Sequence, residues 1–255
     1  MATPKVLIAM ADYGHDPTET AVPYTAFKKA GFEVDFATEN GKTPAPEAKV
    51  AALLAFQGAT SEAVKIHNDM TTTPEFQSPL SWTSPTFSLA PYSLVFLPGG
   101  HEKSVRQIID SPVLHQHLRE YFPQTKKPSN KVVAAICHGV MVLSQTLDEA
   151  SGKSVLAECV TTALPARMEQ FAFWGTRIVL GDYYKTYGAG SENVEDSVRK
   201  RLNDPSQFKS SLGISPFVVV DEKYNYVSGR FPPDAQLLAD KAIELVKSST
   251  GKSSL

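Results

Sequence analysis

The 255-residue chain has few cysteines, no long hydrophobic run and almost no net charge. Its apolar runs, such as KVLIAMA at residues 5–11, fall far short of the roughly 18 to 20 residues that a membrane-spanning helix needs. A net charge of −2 argues against nucleic acid or an anionic membrane as a partner, because such binding requires concentrated lysine and arginine. We therefore predict a protein with neither a nucleic-acid nor a membrane partner.

The chain contains two cysteines, Cys137 and Cys159, and its N-terminus lacks a secretory pattern. These features predict free thiols in a reducing compartment, and hence a cytoplasmic protein. The C-terminal Ser-Ser-Leu resembles a peroxisomal address, but Ser254 stands where the lysine belongs, so we discount it. No residues have zinc-like spacing, and His115 and His117 lie two apart on a predicted helix. We predict neither a metal nor a cofactor.

The order of predicted elements indicates an α/β fold. Residues 5–11 form a continuous apolar run typical of a buried parallel strand. Apolar residues at helical spacing then predict a helix over 19–31 that stops at Gly31, and alternation predicts a strand over 32–38. This β-α-β opening is typical of a doubly wound sheet, so we predict a flavodoxin-like three-layer sandwich with helices on both faces.

The rest of the chain continues this alternation. We predict one domain over residues 1–248, with a variable insertion at 39–92 before the Gly-Gly turn strand and a disordered tail at 249–255. One or two helical pieces are expected within 39–68, and the aromatic residues of 71–92 indicate ordered packing. Further strands are predicted at 93–97, 131–137, 157–163 and 177–180, a hairpin at 217–230, and helices at 104–124 (broken at Pro112), 138–147 and 232–249.

Cys137 ends the apolar strand KVVAAIC, and the next residues, HGVMVL, begin a helix. A strand, a sharp turn and a helix are the arrangement of a nucleophile elbow, with cysteine in place of serine. The helix N-terminus would stabilise a thiolate and lower the pKa of the cysteine. The alternative is a buried structural thiol, which is the interpretation we give to Cys159. We favour a nucleophile at Cys137.

Two further segments lie at the carboxyl ends of predicted strands. Gly99 and Gly100 follow the strand SLVFLP, and their amides could hold an oxyanion, although Pro-Gly-Gly is also common in plain turns. Glu19 lies near the start of the first helix and could act as an acid/base beside Cys137. Alternatively it is an exposed first-turn residue, with Thr18 as a candidate N-cap. His138 could act as a base or pack beside the elbow.

Three motifs in this order resemble the ThiJ/PfpI superfamily, relatives of the class I glutamine amidotransferases. They are the glutamate in PTETAVPYTAFKKAG, the turn LVFLPGGHE and the segment AAICHGVMVL. The resemblance implies a dimeric protein in which Cys137 is the nucleophile, Glu19 is the acid/base, and the amides of Gly100 and His138 bind the oxyanion. The length and the insertion are most similar to the larger chaperone/glyoxalase III branch.

The chain departs from the family pattern at two positions. Ala163 stands where the deglycase branch has a histidine, and Ala166 stands where the glyoxalase branch has an acidic partner for His138. Glu169, or a tyrosine among 183, 184 and 187, is a candidate to fill the space. Glu169, Tyr187 and Trp82 are also candidate pocket residues, although core packing is the usual role of such aromatics.

The resemblance implies a cysteine-dependent enzyme without a cofactor, acting on small reactive carbonyls and converting methylglyoxal to lactate. Two alternatives stay open on the same residues. One is a hydratase or amidohydrolase of another small substrate. The other is a redox-responsive stress protein or holdase without turnover, because a thiol beside a carboxyl group suits oxidation to sulfinate. A third alternative is a degenerate amidotransferase-like binding module, which the absence of a reactive thiol at neutral pH would favour.

Overall fold

The computed structural model describes residues 3–46 and 61–251. Within these residues a seven-stranded sheet has the order β5-β3-β1-β6-β7-β9-β8. Its neighbouring strands are parallel except for the antiparallel pair β8 and β9. The strands of this sheet are β1 (Lys5–Ala9), β3 (Glu33–Thr38), β5 (Leu80–Ser81), β6 (Leu94–Leu97), β7 (Val132–Ile136), β8 (Val218–Val220) and β9 (Tyr226–Gly229). A separate short pair joins β2 (Tyr13–His15) to β4 (Ala45–Pro46).

Helices lie on both sides of this sheet. They are α1 (Pro17–Lys29), α2 (Ser61–Thr71), α3 (Pro74–Gln77), α4 (Arg106–Ile109), α5 (Pro112–Tyr121), α6 (Gly139–Gln145), α7 (Ala166–Leu180), α8 (Val194–Arg199) and α9 (Ala235–Gly251). One group contains α1, which packs against α2 and α9, and another contains α6, which packs against α4, α5 and α8. The predicted α/β sandwich with a mostly parallel sheet is confirmed.

The three central strands explain the continuous apolar runs in the sequence. Every residue of Val6–Ala9, Leu94–Leu97 and Val132–Ile136 has no measurable solvent exposure. Strands covered by helices on both faces cannot alternate between polar and apolar residues, because neither face meets water. Because β1, β6 and β7 are adjacent and parallel, their carboxyl ends lie side by side. The three predicted motifs follow these strand ends and therefore meet at one edge of the sheet.

Several local predictions are confirmed. A helix does begin at Pro112, where Ser111 accepts a hydrogen bond from the backbone N–H of Leu114. The hairpin turn lies at Asp221, whose side chain accepts from the backbone N–H groups of Lys223 and Tyr224. The final helix is also present and continues to Gly251, past the predicted start of the tail. Residues 252–255 and, in the insertion, 47–60 lie outside the described residues.

Two predicted short strands are wrong. Residues 177–180 (RIVL) form the last turn of α7, and Ile178 and Val179 are 101% and 85% exposed. Apolar character alone does not distinguish a strand from an exposed helix face. Among residues 157–163, β-type pairing is limited to an isolated bridge between Thr161 and Phe208.

The predicted N-cap of α1 is also wrong. Asp16, and not Thr18, caps this helix, because its side chain accepts hydrogen bonds from the backbone N–H groups of Thr18 and Glu19.

Beyond β9, the fully buried Arg230 ties the end of the sheet to the segment before β8. Its side chain donates to both oxygens of Asp234 at 2.8 Å. It also donates to the carbonyl oxygens of Ser211, Gly213 and Ser215. All the guanidinium N–H groups are thereby used, as a buried charge requires.

Apolar side chains form two separate clusters. The main cluster surrounds the sheet and includes Cys137 and Trp82. The small cluster contains Phe173 of α7 with Tyr183 and Tyr184 of the following segment. Among the described residues there is no helix with both the length and the apolar content needed to cross a bilayer.

Candidate active site

Cys137 occupies the turn between β7 and α6. Its φ angle is +57°, a left-handed conformation that non-glycine residues seldom adopt and that costs about 1–2 kcal/mol. Its backbone N–H donates to the carbonyl oxygen of Gly229 at 3.1 Å. The turn fits because Gly139 has no side chain; a Cβ there would lie 2.1 Å from the carbonyl oxygen of Leu97. Close packing of the two strand ends therefore holds the cysteine in its strained conformation.

Glu19 reaches the same place from the first turn of α1. The Gly99 amide donates to Glu19 Oε2 at 3.1 Å, and the carboxyl group is hydrogen-bonded to the Cys137 thiol. A Cβ at Gly99 would lie 2.7 Å from both Glu19 Oε2 and Cys137 Cβ. We expected the Gly99 amide to face a substrate, but it holds the acid instead. Only glycine allows this three-way approach.

The pair formed by Glu19 and Cys137 is closed to solvent, since each residue is 1% exposed. Burial raises the pKa of Glu19 well above its usual range, and the neighbouring carboxylate of Asp16 raises it further. Hydrogen bonds from Cys137 and Gly99 act in the opposite direction. Burial and Asp16 therefore favour the protonated form of Glu19, which is the form that can donate a proton.

The predicted decrease in the pKa of Cys137 is wrong. Burial raises its pKa, and the carboxylates of Glu19 and Asp16 raise it further, whereas a hydrogen bond from the His138 amide lowers it. A thiol with a raised pKa could act as a nucleophile only if a base removed its proton, and the His138 ring lies beside it.

The His138 ring lies between Cys137 and Thr186. Its Nδ1 is 3.4 Å from Cys137 Sγ, and its Nε2 is 2.9 Å from Thr186 Oγ1. Thr186 Oγ1 also lies 3.3 Å from the carbonyl oxygen of His101, to which it can only donate. The threonine therefore accepts the proton of Nε2, and Nδ1 is the unprotonated nitrogen that faces the thiol.

The His138 ring is neutral as well as oriented. Burial lowers its pKa well below the usual value, and the nearby rings and charges of His101 and Lys185 lower it further. The His101 ring packs edge-on against it, with 5.1 Å between centroids. A neutral imidazole with a free Nδ1 can accept the thiol proton.

Glu169, a candidate partner for His138, has a different contact. Its Oε1 lies 3.1 Å from Lys185 Nζ, and its Oε2 accepts from the Val194 amide at 2.8 Å. Lys185 also donates to Asn193 Oδ1. This buried ion pair fastens α7 to the segment that carries Thr186. Glu169 therefore supports the residue that binds His138 and does not bind it directly.

The remaining predicted residues lie apart from Cys137. Trp82 is fully buried in the main cluster, and Cys159 is a buried core thiol whose pKa is raised by burial. The Tyr187 hydroxyl donates to Asp110 at 2.6 Å, and its ring lines a cavity of about 300 Å³ with Met141 and Gln145. Among the predicted pocket residues, these aromatics fill the core or line a neighbouring cavity.

The structure adds residues that sequence reasoning missed. Asp16, Thr186 and Lys185 act on the reactive groups without carrying a recognisable motif of their own. The Asp-Pro pair at the start of α1 could have identified Asp16, since Pro is favoured at the first helical position and Asp before it. Within residues 3–46 and 61–251, no three His, Cys, Asp or Glu side chains converge as metal ligands.

The family profile described as ThiJ/PfpI family-like matches residues 10–227, which include all the motifs described above. The chain belongs to this family. The resemblance predicted from the three motifs is therefore confirmed.

Individual relatives and solved structures are similar to this chain over nearly its whole length. An uncharacterized protein of Schizosaccharomyces pombe is 28% identical over 250 residues, covering 97% of this chain and 85% of the relative. Glyoxalase III of Candida albicans has a TM-score of 0.71 at 18% identity, over 95% of this chain and 97% of that one. The Rapid Encystment Protein 24 kDa of Francisella tularensis has a TM-score of 0.65 at 15% identity, over 96% and 99%. At these identities, the solved structures establish the fold.

Proposed function

We propose that the protein is a cofactor-independent enzyme that converts small α-oxoaldehydes such as methylglyoxal to 2-hydroxy acids such as lactate. The observation that carries this proposal is the buried pair of Cys137 and Glu19, with the neutral ring of His138 beside the thiol. The likeness to a glyoxalase III structure supports it.

The first step forms a bond between Cys137 Sγ and the aldehyde carbon. The thiol proton passes to Nδ1 of His138, and the carbonyl electrons move to oxygen. We assign this oxyanion to the amides of Gly100 and His138, as the family resemblance implies, and not to the Gly99 amide, which donates to Glu19. The proton on Glu19 then neutralises the oxyanion and leaves a thiohemiacetal.

The second step moves hydrogen between adjacent carbons. The Glu19 carboxylate removes the hydrogen of C1 and returns it at C2, while the hydroxyl proton passes from the C1 oxygen to the C2 oxygen. The product is a thioester on Cys137, which water hydrolyses to the hydroxy acid and the free thiol, while the proton held by His138 returns to Glu19 and restores the starting state. The sum is one aldehyde and one water giving one acid, with no external oxidant.

The test is the formation of lactate from methylglyoxal by purified protein, without glutathione or added metal. We expect Cys137→Ala and Glu19→Gln each to abolish turnover. The matched control is Cys159→Ala, which also removes a buried cysteine but leaves the site intact. Full activity in Cys137→Ala, or equal loss in both cysteine variants, would contradict the mechanism.

A second candidate is a hydratase or amidohydrolase of another small substrate on the same pair. Thr186 favours it, because the His138 ring is bonded to a hydroxyl in place of the acid that the glyoxalase branch has, while Ala166 occupies the position of that acid; this implies a pocket of different polarity. A panel of α-oxoaldehydes, isonitriles and amides, run on wild type and Cys137→Ala, separates the two. Turnover of isonitriles or amides with none of methylglyoxal would replace the first proposal with the second.

A further inference from the structure

The order of the strands creates a crevice between β1 and β6. These two strands are adjacent and parallel, but the chain passes from β1 to β3 on one side and reaches β6 on the other. The helices that follow them belong to different groups, since α1 packs against α2 and α9, whereas α4 packs against α6. Loops that diverge in this way leave a crevice at the carboxyl edge of the sheet, which is where α/β proteins bind ligands.

A cavity of about 570 Å³ occupies this crevice. One wall comes from the loop after β1, and the other comes from the segment after β6. The lining residues that matter for recognition are Asp12, Tyr13, Lys103, Arg106, Gln107 and Asp110. The reactive cysteine, glutamate and histidine described above do not line this cavity, so it is a second place at the same edge where a small molecule can bind.

The backbone N–H groups at the edge of the crevice are already used. The Asp16 side chain accepts from the N–H groups of Thr18 and Glu19 at the start of α1. The Glu102 side chain accepts from the N–H group of Ser104 at the start of the turn before α4. A phosphate binds at helix N-termini through such N–H groups, and the capping carboxylates would also repel it. A ligand of this cavity must therefore be recognised by side chains.

Arg106 provides a cation that the described part of the chain does not neutralise. Its Nε donates to the carbonyl oxygen of Lys103 at 3.0 Å, and its guanidinium carbon lies 5.8 Å from the centre of the Tyr187 ring. Asp110, four residues further on, accepts from the Tyr187 hydroxyl and forms no ion pair with Arg106. The ammonium of Lys103, in contrast, lies 2.7 Å from Asp182. Because a guanidinium group binds a carboxylate through two parallel hydrogen bonds, Arg106 favours a ligand with a carboxylate.

Asp12 provides the opposite charge on the other wall. Its backbone N–H donates to Gln107 Oε1 at 2.8 Å, and Gln107 Nε2 donates to Glu39 Oε2 at 2.8 Å, so the glutamine amide is fully engaged. The enclosed oxygen Oδ1 of Asp12 has no hydrogen-bond partner among the described residues. Rotation about the Cβ–Cγ bond exchanges the two carboxyl oxygens, so this unused acceptor is available to a ligand in the cavity. An ammonium group has three donors, and Asp12 therefore favours a ligand that carries one.

We propose that this cavity binds a small zwitterion, a free amino acid, with its carboxylate on Arg106 and its ammonium group on Asp12. The two groups lie on opposite walls, so the ligand spans the crevice between β1 and β6. A simple carboxylate or a simple amine would use one of these groups and leave the other without a partner. The cavity is therefore selective for a ligand that carries both charges.

The test is an NMR titration of the isotope-labelled full chain with small probes. Alanine, β-alanine and γ-aminobutyrate are zwitterions with increasing separation of the two charges, whereas propionate and propylamine each carry one charge. We expect one of the zwitterions to bind at least about tenfold more tightly than propionate or propylamine, because it makes both charged hydrogen-bond contacts. The largest shifts should occur at the backbone amides of residues 12–13 and 103–110, which form the two walls.

Substitutions separate the two contacts. Asp12→Asn and Arg106→Gln should each weaken binding of that zwitterion by about tenfold or more. Asp12→Asn should leave the binding of propionate unchanged, because it keeps the guanidinium group. The matched controls are Asp240→Asn and Arg119→Gln, which change the same residue types outside the cavity and should leave all binding unchanged.

Several outcomes would overturn the proposal. Absence of saturable binding by all three zwitterions contradicts it, as does equal affinity for propionate or propylamine, which would indicate a site for one charge only. Binding that survives Asp12→Asn and Arg106→Gln, or shifts confined to other parts of the chain, also contradicts it. Asparagine has nearly the shape of aspartate, and Arg106 is exposed, so circular dichroism should show unchanged folding. Since binding is measured without turnover, the result is independent of the proposed enzymatic activity.

Discussion

Replacing Arg230 with leucine removes a charge that the fold has enclosed completely. The carboxylate of Asp234, also fully buried, then keeps its backbone donors, the N–H groups of Phe217 and of residue 230, but loses its counter-ion. Breaking a buried pair in this way typically costs about 3–5 kcal/mol, because the remaining charge stays in a medium that solvates it poorly.

The carbonyl groups that Arg230 binds add little to this cost. They belong to Ser211, Gly213 and Ser215, which are exposed or half-buried, so water can replace the guanidinium. We therefore expect the free energy of unfolding to fall by about 4 kcal/mol, a large part of the roughly 5–15 kcal/mol of a typical domain. The melting temperature should fall by roughly 10 °C.

The assay is urea unfolding followed by circular dichroism at one fixed protein concentration. Arg199→Leu is the control, because Arg199 and Glu195 form a pair with the same spacing on a helix, but one that is partly exposed. That variant should lose less than about 1 kcal/mol. Equal losses in the two arginine variants, or a loss below about 1 kcal/mol for Arg230→Leu, would refute the argument from burial.

Other substitutions test the site itself. Gly99→Ala should lower kcat/KM by about 100-fold or more, since its Cβ would lie 2.7 Å from atoms of both reactive side chains; lactate formation measures this. Burial raises the pKa of Asp16 from 3.8 to about 6, so its contribution to stability is complete below pH 4 and is lost as the pH rises through 6. Wild type should therefore lose about 2.4 kcal/mol relative to Asp16→Asn between pH 4 and 7, and a constant difference in unfolding free energy would contradict this. Thr186→Val should lower kcat up to about tenfold through the lost hydrogen bond, with KM unchanged, and Thr186→Ser should restore it.

The sheet and the three motifs were predictable because their signals are local. A continuous apolar run that ends in Cys-His-Gly already describes a buried strand and a turn, whatever the rest of the chain does. The positions of Glu19 and Gly99 beside Cys137 then follow from topology, because parallel strands place their carboxyl ends at one edge. Pro112 and Asp221 likewise mark boundaries through their own backbone and side-chain chemistry.

The surroundings of His138 could not be predicted in the same way. Thr186 lies 48 positions away in a segment of turns that has no helical or strand periodicity. The predicted decrease in the pKa of Cys137 was also wrong, because a prediction based on the helix end ignores burial beside two carboxyl groups, which raises the pKa. Residues 177–180 were assigned to a strand because a sequence pattern cannot show that apolar residues face outward.

The residues of the candidate site belong to two parts of the molecule that differ in local stability, one held by the main apolar cluster and one by the small cluster. Cys137 and Glu19 are held by the sheet and its main cluster, whereas Thr186 belongs to a segment held by the small cluster, by the ion pairs of Lys185 and Asp182, and by hydrogen bonds such as that of Tyr187 to Asp110. Segments with few apolar contacts open locally at a lower free energy than the whole molecule needs to unfold. Admission of a substrate to the enclosed thiol can therefore be controlled by a local fluctuation, and mutations in α7 can change its frequency while the sheet stays intact.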